Sequence, residues 1–346
     1  MQRSIHACLL SLIVSYQGLA KTLWRLQMSW LKAKVRQYQM KYPIQVEMGP
    51  EDLELQLFRG YSDSDTAIIP EFAKPNLEPE PGFIIDFLGV RTRSTSLWPE
   101  ARALAGNVIK APIPGDFHAE TIEWLGLLKS VKSARGEYVA MELGAGFGPW
   151  AIAGATAARS RGIKTIRLCA VEGDPHHFRF LRQHFVDNGF DPDEHVLQEA
   201  VVGAEAGVAQ WPVMADTSAE WGSRPILAEG DYLGRDFPST KDVTIIPMAN
   251  LIRKERHWNL VHIDVQGHEV DICRSCLDDL NARVSWIVVG THSRKLDGDM
   301  LEMMCRADWD LEHEKPTKFR YYRNPKTLEG MTIADGTQVW RNPRLT

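Results

Sequence analysis

Residues 262–269 read His-Ile-Asp-Val-Gln-Gly-His-Glu and close an apolar run that begins at Leu260. Two histidines, an aspartate and a glutamate are expensive at the end of a buried strand, because each must be desolvated unless it is paired. A cluster of this kind suits proton handling or the holding of a cation. Strand alternation puts His262, Asp264 and Gln266 on one face and Ile263 and Val265 on the other. Asp264 falls at the carboxyl end and is expected to be an active-site acid or a metal ligand, with capping of the next helix as the alternative. Glu269 is expected to reach the same place, although a helix's first turn favours an acid in any case. His262, deeper in the strand, reads as a core histidine. After the next strand, Val289-Gly290-Thr291-His292-Ser293 puts a histidine in a glycine-containing loop, a good position for a general base. Asp264 and His292 lie on consecutive strands and are expected to meet. Asp264, Glu269 and His292 are also where a divalent metal would sit.

A second signal is Met141-Glu142-Leu143-Gly144-Ala145-Gly146-Phe147-Gly148-Pro149-Trp150. Its glycines permit a tight turn and close approach of a ligand to the main chain, and the following helix offers unpaired N–H groups. A nucleotide-like ligand is expected against Glu142, Gly144, Ala145, Gly146 and Gly148. A dinucleotide fingerprint would need a third glycine where Pro149 stands. The GxGxG spacing with an acid two residues ahead suits S-adenosylmethionine instead. Glu172 closes the second strand 28 residues after Gly144, where a carboxylate, followed by Gly173, can accept both ribose hydroxyls. Asp174 reads as a cap, and Ala200 as a neighbour of the adenine. S-adenosylmethionine is thus expected to contact Asp264 as well as the glycine turn.

Weaker candidates surround these. His118, on a helix preceding the glycine turn, is a secondary base candidate. Asp86, Arg91 and Arg93 sit at a strand end that either meets an acceptor or faces solvent. Trp221 and Arg224 belong to residues 214–242, a stretch without periodicity that is expected to form an active-site lid. His176, His177, Phe180 and His184 read as a helix surface and core edge. Cys273 and Cys276 form a CxxC without the second ligand pair that zinc needs, and read as helical thiols.

The elements that must position these residues alternate. Apolar strands are expected at 138–143, 166–172, 195–201, 260–265 and 284–289, with helices to Arg161 and Asn188 between the first three and another at 117–132. This implies a parallel sheet covered on both faces, with ligands beyond the carboxyl ends of its strands. Residues 1–46 carry seven Lys or Arg and no acid, leaving the other 300 at about −12 against an overall −5. They read as a basic amphipathic helical extension that packs, dimerises or lies on a membrane surface. Residues 47–82 are an acidic, proline-rich linker or wrap, and 83–346 the main domain. The net acidity argues against a nucleic-acid partner. Five scattered cysteines argue for a reducing, cytoplasmic setting.

Five segments, ELGAGFGPW, VEGDPHHFRFLRQHF, EAVVG, PMANLI and LVHIDVQGHEVDI, together resemble the FkbM family of S-adenosylmethionine-dependent methyltransferases over about Phe83–Arg341. DFLGVRTR and GTHSRKL resemble pieces of a bacterial subset. The chain has His262 where that family commonly has lysine and Gln266 where it has glutamate. The resemblance implies a doubly wound, mostly parallel seven-stranded sheet and O-methylation, most often of a carbohydrate or glycolipid. Three rival expectations are an NAD-dependent oxidoreductase, a non-catalytic S-adenosylmethionine-binding scaffold and a methyltransferase acting on nitrogen.

Overall fold

Seven strands, β1 (Glu137–Leu143), β2 (Thr165–Glu172), β3 (Val196–Glu199), β4 (Trp258–Ile263), β5 (Val284–Thr291), β6 (Asp310–Lys315) and β7 (Gly336–Arg341), pair in the order β3-β2-β1-β4-β5-β7-β6. Only β7 runs antiparallel to its neighbours. The computed structural model describes residues 59–214, 217–219, 221–226, 237, 239–323 and 327–346. The basic segment 1–46 and the start of the 47–82 stretch lie outside the described residues.

Near-continuous apolar strands need a cover on each face, and both are covered. On one side α1 (Thr121–Ser133) and α2 (Pro149–Ser160) set Trp124, Leu128, Trp150 and Ile152 against Tyr138, Leu260 and Val288. Here too lies α3 (Pro175–Asp187), through Leu181 and Phe185. On the other side α4 (Glu269–Ser275), α5 (Leu277–Arg283) and α6 (Arg294–Arg306) bring Ile272, Leu280 and Met300 against Met141, Val261 and Ile287. α1 lies so close to the sheet that a Cβ at Gly126 would be 2.4 Å from Val288 Cγ2. Residues 61–72 wrap α1, with Tyr61 Oη on Thr121 Oγ1 at 3.1 Å and Ile69 and Phe72 buried.

Two expected elements differ in extent. The strand expected at 195–201 breaks at Ala200, whose N–H donates to Glu172 O at 3.0 Å. Val201–Gly203 then joins a second sheet with Thr240–Pro247 and Gly207–Pro212. The helix expected from Phe117 starts at Thr121, because Asp116 Oδ1 accepts from the backbone of His118 and Ala119 and holds that stretch as a turn.

The strand order reverses direction between β1 and β4, and an open α/β sheet presents its ligand crevice at such a switch point. Gly144 follows β1 and Asp264 follows β4. The two chemical signals of the sequence therefore emerge side by side.

Candidate active site

β1 ends at Leu143 and the chain turns through Gly144, at φ +71°, into α2. A Cβ at Gly144 would lie 1.7 Å from the backbone oxygen of Asp264, so no other residue fits without moving β4's end. Gly144 and Ala145 both donate to Val171 O, at 3.0 and 2.9 Å, which ties the turn to β2. Glu142 turns away from the crevice. It accepts from Trp150 N at 3.3 Å and Ala151 N at 2.7 Å, satisfying the first turn of α2, and burial pushes its carboxyl up to about 8.

The crevice runs from Gly144 and Gly146 past Glu172 and Gly173 to Ala200, with Asp264 on its opposite wall. Glu172 Oε2 accepts from Gly146 N and Oε1 from Asp174 N, each at 2.7 Å. Burial pushes its carboxyl up to about 7 against those bonds. Trp211, from the second sheet, stands at the back, its ring 2.9 Å from where a Cβ of Gly173 would be. Ala145 and Gly148 do not line this crevice; Gly148 instead makes room for Leu181 Cδ1. Asp174 caps α3 through His176 N and His177 N.

Across the crevice, three side chains form one chain of contacts. His292 Nε2 is 3.2 Å from Asp264 Oδ1, and His292 Nδ1 is 2.8 Å from Glu269 Oε1. Parallel pairing of Ile263 with Val289 puts Asp264 level with Gly290, two residues before His292, and the Asp264 carboxylate packs against that glycine. The Asp264 side chain is 41% exposed, whereas that of Glu269 is fully buried. Glu269 Oε1 also accepts from Gly267 N at 2.9 Å and Val265 N at 3.3 Å. It therefore closes the 264–269 loop on itself, with Gln266 held at φ +55°, a conformation that costs a non-glycine residue about 1–3 kcal/mol. Burial alone would lower the pKa of His292, but the Glu269 and Asp264 carboxylates outweigh it and raise it well above the ordinary value. Burial would raise that of Asp264, and His292 lowers it instead.

No protein-family model matches the chain. A candidate methyltransferase of Jannaschia sp. (strain CCS1) is 32% identical over 278 residues, which cover 80% of this chain and 98% of that protein. The chain belongs to this methyltransferase family. Solved structures of similar arrangement include precorrin-6y C5,15-methyltransferase from Geobacter metallireducens GS-15, with 11% identity and a TM-score of 0.35 over 65% of this chain and 89% of that one. Methyltransferase FkbM from Methylobacillus flagellatus KT has 10% identity and a TM-score of 0.34 over 60% and 45%. Likeness at these scores is too slight to carry a substrate or a residue role across.

The other candidates of the methyltransferase fall into two groups. Near the crevice, the Trp221 ring stacks on His177, centroids 4.0 Å apart, and approaches within 3.3 Å of where a Cβ of Gly146 would be. Arg224 donates to Gln266 O at 3.1 Å, and Trp221, Ser223, Arg224 and Pro225 line the crevice, whereas 240–242 belong to the Thr240–Pro247 strand of the second sheet. His268 lines the same crevice, and burial, then Arg224, lower its pKa. Behind it, His262 stacks on Trp150 at 5.0 Å, with Glu123 at 3.7 Å. His118 packs against Trp124, Phe147 and Trp150, with Asp116 at 3.6 Å.

Away from it, Asp86 accepts from Leu88 N and Val90 N within its own turn. Arg91 pairs with Glu80, and Arg93 with Asp187 of α3. His184 sits under the glycine turn on Phe147 O at 2.9 Å, and burial pushes its pKa down to about 4. Cys273 and Cys276 are buried thiols whose pKa values burial raises. Among the described residues, no helix is long and apolar enough to cross a membrane. Sequence reasoning missed Trp211 and Asp335. Asp335 lies just before β7 and is close enough to Asp264 and His292 to interact with both electrostatically.

Proposed function

We propose that this methyltransferase uses S-adenosylmethionine to methylate a hydroxyl group of a carbohydrate or glycolipid, in the manner the FkbM resemblance implies. The observation that carries this reading is the meeting at Gly144. A turn too tight for any Cβ abuts the strand end that bears Asp264 and, through it, His292. A cradle for a nucleoside and a centre able to handle a hydroxyl proton thus share one crevice.

The residues fit the cofactor. Glu172 Oε2 accepts from Gly146 N and Oε1 from Asp174 N, and a carboxylate oxygen has a second lone pair for a ribose hydroxyl. Ala200 and Trp211 give the apolar wall a base requires. S-adenosylmethionine bound there would supply a methyl carbon activated by positive sulfur. Asp264, partly exposed to the crevice, then orients the acceptor hydroxyl and accepts its proton as the methyl carbon leaves the sulfur, while His292, fixed by Glu269, holds that carboxylate in place. Trp221 excludes water from the crevice and offers an aromatic surface of the kind sugar rings stack on.

Calorimetry with S-adenosylhomocysteine and with NAD tests the cofactor. One molecule of S-adenosylhomocysteine per chain and no heat from NAD is the expected result; the reverse would overturn the reading in favour of an oxidoreductase. A bound cofactor with no turnover on a broad glycan and polyol library would favour a scaffold. Gly144→Ala is expected to weaken S-adenosylhomocysteine by more than tenfold, since the positive φ alone costs roughly 1–2 kcal/mol and the Cβ collides with Asp264 O. Glu172→Gln should weaken it by about tenfold, a loss of roughly 1.4 kcal/mol, with little change in melting temperature. Wild-type affinity in either variant would place the cofactor elsewhere.

A further inference from the structure

Asp264, Glu269 and His292 each offer a donor atom, and the three atoms lie within 4.8 Å of one another. The spacing within the group is unequal in an informative way. Asp264 Oδ1 and His292 Nε2 are 3.2 Å apart on the side facing the crevice. Two neighbouring ligands of one cation, each bound at about 2.1 Å, stand roughly 3.0–3.4 Å apart in octahedral or tetrahedral geometry. Glu269 takes the other ring nitrogen at 2.8 Å and is wholly buried. A carboxylate on the far nitrogen is how a metal-binding histidine is usually fixed, since it sets the tautomer and aims the second lone pair outward.

Two further observations point to a ligand rather than to a self-contained cluster. Among the described residues, Glu269 Oε2 is buried without a hydrogen-bond partner, which leaves one oxygen of a desolvated carboxylate unsatisfied. Asp335 adds a third carboxyl from a different part of the chain, since antiparallel pairing of Thr291 with Gly336 sets it beside the end of β5 that leads into His292. The two closest carboxylates carry two negative charges around one imidazole, which a dication matches. Gln266 Nε2 donates to Asp264 Oδ1 at 3.0 Å and steadies that oxygen at the crevice wall.

We propose that Asp264 and His292 are the protein ligands of a divalent cation, with Glu269 as the outer carboxylate and the remaining positions open to the crevice. Mixed oxygen and imidazole donors suit Mn2+ or Zn2+ better than Ca2+, and Mn2+ is the one whose binding can be read directly. Open positions beside the cofactor cradle accommodate the oxygens of an acceptor diol, and coordination makes a hydroxyl more acidic. This purpose rests on the methyl-transfer reading above, whereas cation binding does not.

The test is Mn2+ titration of the full chain after dialysis against EDTA, read by the loss of free-Mn2+ electron paramagnetic resonance signal, with S-adenosylhomocysteine calorimetry on the same preparation. One Mn2+ per chain with a Kd below about 100 μM, roughly the −5.5 kcal/mol of a specific weak site, is expected. Asp264→Asn and His292→Gln should each weaken it by at least fivefold. Glu269→Gln should weaken it by about 10- to 100-fold through loss of the outer carboxylate. Asp264→Asn replaces a partly exposed side chain by one of equal size, so it keeps the test valid should His292→Gln not fold. No saturable Mn2+ binding in the wild type, or a change below fivefold in Asp264→Asn, overturns the proposal. S-adenosylhomocysteine binding without Mn2+ binding would leave methyl transfer standing and remove the cation; the opposite pair of results would do the reverse.

Discussion

Replacing His292 with glutamine is expected to lower kcat by about 100- to 10,000-fold, the range by which a positioned proton-handling or hydroxyl-activating group accelerates transfer. S-adenosylhomocysteine affinity should change by less than threefold. The separation follows from where the side chain sits. His292 meets Asp264 on the wall opposite Glu172, so its loss leaves the glycine turn and the ribose carboxylate in place. Asp264→Asn should have an effect of similar size, because it removes the charge that faces the acceptor while keeping the shape. The double variant should be little worse than either single one, since groups that act as one unit are lost together at the first substitution. Rates are to be measured on whichever hydroxyl acceptor the glycan library yields. Activity within tenfold of wild type in both single variants would remove this centre from the reaction.

That pairing was readable in the sequence because parallel neighbours carry their next residues to a common edge. Once β4 and β5 are recognised, Asp264 just past Ile263 and His292 just past the end of β5 leave neighbouring strands at the same edge of the sheet. Glu172 was readable for the same reason, standing at the end of the strand beside the glycine turn. Glu142 shows where this logic weakens. Its type and spacing point to the crevice, yet the unpaired amides of α2's first turn are closer and take its carboxylate. Trp211 and Asp335 reach the site from a second sheet and from the approach to an antiparallel strand. No local spacing marks either of them, because their position depends on how distant segments pack. Arg91 and Arg93 read as acceptor-binding residues on composition alone, but Arg91 pairs with Glu80 and Arg93 ties their strand to α3 through Asp187.

Glu269 gives the other large expected effect, and it is one of stability. An acid in a helix's first turn is ordinarily solvated and contributes a fraction of a kcal/mol through the helix dipole. This one is 0% exposed and accepts from Gly267 N, Val265 N and His292 Nδ1 through a single oxygen. Glu269→Ala would strip a buried imidazole of a charged partner and leave two amides of a strained loop without their acceptor. Breaking a buried pair from one side costs about 3–5 kcal/mol, which in a domain of this size lowers the melting temperature by roughly 6–12 °C. Glu269→Gln retains the carbonyl acceptor and the volume, so it should lose less than half as much while still releasing His292 from its charged anchor. A thermal melt of the two variants thus separates the loop's need for an acceptor from the imidazole's need for a charge. Equal losses would mean that the charge alone holds this end of β4 together, and a negligible loss in Glu269→Ala would mean that the 264–269 loop is fixed by Gly144 and Asp264 without it.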